Sequence, residues 1–211
     1  MKSFLRFELQ ATSIQTSFDG FHTVFPETSL TLSNGEIIGI TGLNGSGKST
    51  LIKILAGVLS ARQGILELHV ESQRIDKEAI PMHIGLVAPY LELYEEFTPV
   101  EHIRLFCAMS GLQSHEHEAR EVLTLTGLSA HEDKRISTFS SGMKQRMKYA
   151  LAMIRKPMIL LLDEPSTNFD HKGHELFRRI VQMQKDLGGG TIIATNEQAE
   201  TELCDHIISL S

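Results

Sequence analysis

Eight residues, Gly42-Leu43-Asn44-Gly45-Ser46-Gly47-Lys48-Ser49, fit the pattern G-x-x-x-x-G-K-[ST], with Thr50 completing the run. The three glycines let the backbone curl so that successive N–H groups point inward and surround phosphate oxygens. Lys48 brings a full positive charge to the β- and γ-phosphates, and the Ser49 hydroxyl is a hard oxygen ligand for Mg²⁺. Average composition gives such a match by chance in a chain of this length with odds on the order of one in a hundred. Its placement between a strand pattern and a helix pattern lowers those odds further.

A second chemical pair, Asp163-Glu164, closes the apolar run Met158-Ile159-Leu160-Leu161-Leu162. Ligands of open α/β sheets bind at such strand ends. Asp163 reads as a Mg²⁺ ligand, directly or through water. Glu164 reads as the group that accepts a proton from, or orients, a water attacking the γ-phosphate. Neighbouring strand residues face opposite ways, so one role each requires the backbone to turn at Pro165. Taken alone, the pair is equally well read as a solvated acidic strand end; the phosphate loop tips the balance.

The elements that must position these residues follow from periodicity. Residues 3–33 mix short apolar runs with turn signals at Asp19-Gly20 and Asn34-Gly35, which predicts antiparallel strands. Glu36–Thr41 is a nearly all-apolar run, expected to be a strand buried on both faces. A helix is expected over 48–56, a strand over 64–70, buried strands over 158–162 and 191–195, and a polar helix over 171–187 ending at Gly188-Gly189-Gly190. From about 98 to 155 the pattern is mostly helical, opening on Thr98-Pro99, an N-cap followed by proline at the first helical position. Strands alternating with helices imply a mostly parallel α/β sheet.

Composition bounds the function. The 211 residues are 41% hydrophobic and 22% charged, enough for one large domain with a sizeable core. A formal charge of -6 argues against general affinity for nucleic acid or an anionic membrane face. No apolar run reaches the roughly 18–20 residues that span a bilayer, and MKSFLRFELQ alternates like a strand rather than a secretory leader. Cys107 and Cys204 have no metal-ligand spacing, so a reduced cytoplasmic compartment is expected. His115-Glu116-His117 and His131 show no converging ligand set and read as solvated faces.

Between the two motifs lies Phe139-Ser140-Ser141-Gly142-Met143-Lys144-Gln145-Arg146. It resembles the L-S-G-G-Q signature of ABC ATPases, with Phe, Ser and Met at its first, third and fifth places. Together with GLNGSGKST and LLLDEPSTNFD, it makes the chain similar to an ABC-transporter nucleotide-binding subunit over essentially its whole length. The resemblance implies a single cassette over 1–211: a P-loop NTPase (RecA-like) core, an N-terminal antiparallel β lobe and a helical lobe inserted at about 89–155. It also implies ATP and Mg²⁺ as cofactors and a head-to-tail dimer with two ATPs between phosphate loop and opposing signature. In that dimer Ser140, Ser141 and Gly142 act on the partner's nucleotide. Ser140 is equally a natural N-cap for a helix running to about Ile154, with Met143, Met147, Ala150 or Leu151, and Ile154 on one face. Asp170 matches the family's D-loop aspartate, and is also a natural N-cap. Phe18 matches the aromatic that stacks on adenine; Phe21 competes, and a core phenylalanine is an equal alternative.

Two family positions differ. Pro89 stands where the Q-loop glutamine is expected, and proline has neither a side-chain amide nor a backbone N–H. Asn196 stands where the family carries the switch histidine; it can donate one hydrogen bond to a γ-phosphate but cannot become cationic. Losing the charge-assisted option costs about 1–2 kcal/mol of transition-state stabilisation, or roughly 5–30-fold in rate. ATP binding is expected to survive, with slow hydrolysis.

The resemblance thus implies an ATP-hydrolysing subunit on the inner face of the cell membrane, docked near residues 90–102 to a separate transmembrane permease. It is closest to small exporter-type subunits, including the heme-exporter-like group. A soluble ABC ATPase with a non-membrane partner and a nucleotide-dependent switch with little catalysis are the alternatives. A P-loop kinase leaves the signature and the acidic pair without explanation.

Overall fold

Alternation of buried and outward residues shapes the first strands. The computed structural model describes residues 3–111 and 116–210. Strand β1 (Phe7–Gln15) pairs antiparallel with β2 (Thr28–Ser33); alternation puts Phe7, Leu9 and Ala11 on one buried face, and an irregularity between Ala11 and Ile14 returns Ile14 to the same core. A five-residue strand, β3 (Ile37–Thr41), leads into helix α1 (Lys48–Leu55). Next, β4 (Gln63–Val70) returns to the other edge of β1, and the two-residue β5 (Gln73–Arg74) completes a sheet of order β2-β1-β4-β5.

Where β4 begins, Gly64 has φ +90°, and a Cβ there would lie 2.4 Å from the Ser13 carbonyl oxygen. Ser13 itself has φ +50° at the irregularity in β1. Only glycine permits this close backbone approach.

The remaining elements build the second sheet. Strand β6 (Ile84–Val87) precedes three helices, α2 (Pro99–Met109), α3 (Glu116–Leu125) and α4 (Ser141–Met153), after which the chain returns as β7 (Ile159–Asp163). Helix α5 (His171–Asp186), strand β8 (Gly190–Ala194), the four-residue α6 (Gln198–Thr201) and β9 (His206–Ser209) finish the chain. The order is β6-β7-β8-β3-β9, all parallel. Strands β7 and β8 are buried throughout, as sheets covered on both faces require.

Their side chains divide by period two. Ile159 and Leu161 join Leu51, Ile52 and Leu55 of α1 and the inner face of β1 in one core. Leu160 and Leu162 join Met147, Ala150 and Ile154, with Phe177 and Ile180 of α5, in the other. One central sheet thus separates two cores.

Local chemistry sets the helix starts. Thr98 and Glu101 exchange hydrogen bonds as a capping box, with Pro99 in the first turn. The expected strand over 191–195 begins instead at Gly190, where a Cβ would lie 2.7 Å from Leu32 Cδ2. The strands β6 and β9 were not among those expected from the sequence. β6 is only four residues long, and β9 is an edge strand whose residues are mostly exposed, so neither carries a strong pattern. Among the described residues, no helix is long and apolar enough to cross a membrane.

Candidate nucleotide-binding site

The phosphate loop joins the end of β3 to α1. No side chain caps this helix; Gly47 takes the cap position at φ +94°. A Cβ there would lie 2.8 Å from the Phe25 ring, so the position needs glycine for both conformation and space. The first-turn N–H groups therefore face outward as an anion site, reinforced by the helix dipole. Lys48 is buried, and its Nζ donates to the carbonyls of Gly42 (2.6 Å) and Leu43 (3.2 Å). An ammonium has three donors, so one remains for a phosphate. Leu43, Asn44 and Gly45 are exposed at the crest; Ser46, Ser49 and Thr50 are half-buried.

Asp163 lies at the end of β7, almost wholly buried, with no well-aligned hydrogen bond to either carboxylate oxygen among the described residues. Burial raises its pKa, while the nearby Ser49 hydroxyl and the charges of Lys48 and Lys53 pull it down and Glu164 pushes it up. A buried carboxylate short of donors beside a hydroxyl oxygen is a donor set that fits Mg²⁺.

Glu164 is exposed and has φ +46°, while its N–H donates to Ala194 O at 2.9 Å. The chain therefore turns at Glu164 itself, one residue before the expected Pro165. Left-handed backbone at a non-glycine residue costs of order 1–3 kcal/mol and concentrates at functional sites. This turn separates the two carboxylates: one buried toward α1, the other presented to solvent.

Asn196, just past β8, donates from Nδ2 to Asn44 Oδ1 at 3.0 Å, joining the switch position to the phosphate loop. Ser140 caps α4, its hydroxyl accepting from Met143 N–H at 3.3 Å. A Cβ on Gly142 would sit 3.4 Å from Asn168 O, and Arg146 reaches Asp170 at 3.5 Å. Asp170 also caps α5 by accepting from Gly173 N–H at 2.8 Å. Ser140, Ser141 and Gly142 thus border the 168–170 segment, and no hydrogen bond joins them to residues 42–50 among the described residues.

Phe18 and Phe21 are 73% and 88% exposed, which removes the core alternative for both. They flank a turn organised by Asp19, whose carboxylate accepts from the N–H groups of Phe21 and His22. His115 lies outside the described residues; His117 faces Glu121 at 3.8 Å, and His131 packs edge-on to Phe139.

Two residues near the site, Lys53 and Lys148, escaped sequence reasoning. Lys53 lies one helical turn after Ser49 and so shares its face, a spacing that was available in the sequence. Its ammonium sits 4.0 Å from the Tyr90 ring centroid. Lys148 of α4 donates to the carbonyls of both Ala88 and Pro89 at 3.0 Å. Both contacts join distant segments and have no local signal.

Comparison with known proteins agrees with this geometry. The family described as ABC transporter matches residues 25–167. The chain is 31% identical over 188 residues to the ABC transporter ATP-binding protein NatA of Bacillus subtilis (strain 168), covering 87% of this chain and 76% of that protein. It is 33% identical to the linearmycin resistance ATP-binding protein LnrL of the same organism, covering 94% of this chain and 65% of that one. Among solved structures, an ATP binding subunit of an ABC transporter superposes with a TM-score of 0.82 at 29% identity, covering 96% and 85% of the two chains. A dimeric ATP-binding cassette in a post-hydrolysis state shares the fold with a TM-score of 0.83 at 22% identity, covering 96% and 94%. With its phosphate loop, capped signature helix and buried aspartate in that order, the chain belongs to the ABC transporter family, as an ATP-binding subunit of the ATPase class.

Proposed function

We propose that this chain, as one cassette over 1–211, binds Mg-ATP in the 42–50 loop and hydrolyses it to drive a separate membrane permease. The observation that carries the reading is the convergence of Lys48, Ser49 and Asp163 where β3, α1 and β7 meet. Lys48 and the loop N–H groups bind the β- and γ-phosphates, and Phe18 stacks on the adenine. Ser49 and Asp163 are the residues that hold Mg²⁺, which when bound neutralises phosphate charge. Glu164 takes the proton of the attacking water, and Asn196 donates a hydrogen bond to the γ-phosphate.

Closure requires a second copy. Ser140, Ser141 and Gly142 stand away from their own phosphate loop at an uncovered helix start, which suits an anion supplied from outside. Asp170, on the same border, faces the partner. The dimeric state named for a structure of the same fold supports this arrangement. Hydrolysis is slow because Pro89 and Asn196 supply neither a glutamine amide nor a cationic imidazole.

A groove of about 370 Å³ supports docking to the permease on the inner face of the membrane. Leu91, Leu93, Tyr94, Leu105, Phe106 and Met109 line it, between the segment after β6 and helix α2. Its apolar lining suits a short helix between permease spans. Steady-state ATPase assays with the permease present test the reading. A rate that falls on Glu164→Gln supports it; a vigorous rate unaffected by that substitution refutes the assignment of the base. An absence of turnover with intact binding favours a nucleotide-dependent switch instead, the reading that Pro89 and Asn196 would then support.

A further inference from the structure

Proline at position 89 puts no polar side chain there, yet the segment that carries it is held firmly against the site. Lys148 fastens the Ala88 and Pro89 carbonyls from α4, so the next residue, Tyr90, leaves a fixed point. Strand register fixes where that point lies. Val87 pairs with Leu162, the residue before Asp163, so the chain after β6 runs out beside the end of β7. From the other side, α1 offers Lys53, whose Nζ sits 4.0 Å from the Tyr90 ring centroid. The face-on cation holds the ring in place. Tyr90 is thus lodged between the phosphate-loop helix and the end of the strand bearing Asp163, with about a third of its surface still open. Burial and the Asp163 charge keep its phenol protonated, as a neutral donor and acceptor.

We propose that Tyr90 is a positioning residue of the nucleotide site, its hydroxyl holding water of the hydrated divalent cation at the Asp163–Ser49 corner. This inference rests on the Mg-ATP reading above. It gives the segment after β6 a polar group one residue beyond the proline, close enough to Asp163 to feel its charge. Lys53 serves to fix the ring, and Lys148 to fix the backbone that bears it.

Tyr90→Phe keeps the ring and its contact with Lys53 and removes only the hydroxyl. Calorimetric titration of the purified chain with ATP, with and without Mg²⁺, and Mn²⁺ binding followed by electron paramagnetic resonance test the role without relying on turnover. The Mg²⁺ concentration that half-saturates the effect on ATP binding is expected to rise about three- to tenfold, the span of one net hydrogen bond. Metal-free ATP affinity and the unfolding temperature should stay unchanged. A shift in Mg²⁺ requirement below about twofold, or an equal loss of metal-free ATP affinity, would overturn the role. Lys48→Ala in the same titration separates the two levels. If it abolishes ATP binding while Tyr90→Phe changes nothing, only the Tyr90 role falls; if it binds ATP like the wild type, the Mg-ATP reading itself falls.

Discussion

Asn196 Nδ2 donates to Asn44 Oδ1 at 3.0 Å, tying the end of β8 to the crest of the phosphate loop across 152 residues of sequence. The switch position is therefore joined to the phosphate loop, and under the proposed function what it lacks is charge. Asn196→His supplies a side chain that can carry a proton at this place. Turnover should rise about 5–30-fold in a phosphate-release assay, equivalent to about 1–2 kcal/mol of transition-state stabilisation. An unchanged rate would mean that a cationic group at position 196 does not limit the reaction.

Glu164 occupies left-handed backbone and faces solvent, while Asp163 is buried beside it. The general-base role predicts that Glu164→Gln lowers turnover by about 10²–10⁴-fold. Equilibrium ATP affinity should stay within about twofold, since the amide keeps the size of the carboxylate and no bond to phosphate is lost. Parallel rate and binding measurements separate the two effects.

Burial raises the Asp163 pKa above its ordinary value of 3.8, with the Ser49 hydroxyl and the lysines only partly offsetting it. Below that ordinary value the carboxyl is neutral in both folded and unfolded chains, so burial carries no charge penalty. As pH rises through the folded-state pKa, the native state must ionise a buried group and loses stability. Without Mg²⁺, Asp163→Asn should therefore raise the melting temperature at pH 7. The gain should shrink as pH falls toward the ordinary carboxylate range. Thermal scans across pH in the presence of a chelator check both parts.

Gly64→Ala should be costly to stability yet leave the nucleotide site alone. The added Cβ meets the Ser13 and Thr12 carbonyl oxygens at 2.4 and 2.5 Å, and the backbone sits at φ +90°. Left-handed backbone alone costs about 1–2 kcal/mol for a side-chain-bearing residue. With the clash added, a loss of more than about 2 kcal/mol is expected in urea unfolding.

Much of this was legible in the sequence where one short stretch carries the whole signal. Gly42–Ser49 announces itself because the loop, its lysine and its hydroxyl are contiguous. Thr98-Pro99, Ser140 and Asp170 mark helix starts because capping is a local interaction. The turn at Glu164 was placed one residue late: proline is the visible turn signal, while the left-handed φ at Glu164 comes from its bond to Ala194 on the next strand. Phe18 and Phe21 could be read as core because phenylalanine usually is; the turn around Asp19 holds both outward. The grip of Lys148 on Ala88 and Pro89 is set by the docking of α4 on β6, which no periodicity encodes.

Equilibrium titration of the purified chain with Mg-ATP, alongside Lys48→Ala, tests the central claim most directly. Saturable binding of one nucleotide per chain is predicted for the wild type. The variant should bind roughly 30-fold weaker or worse, the cost of removing a buried charge from its phosphate partner. Failure of the wild type to bind, or equal binding by Lys48→Ala, would contradict the assignment of residues 42–50 as the phosphate cradle.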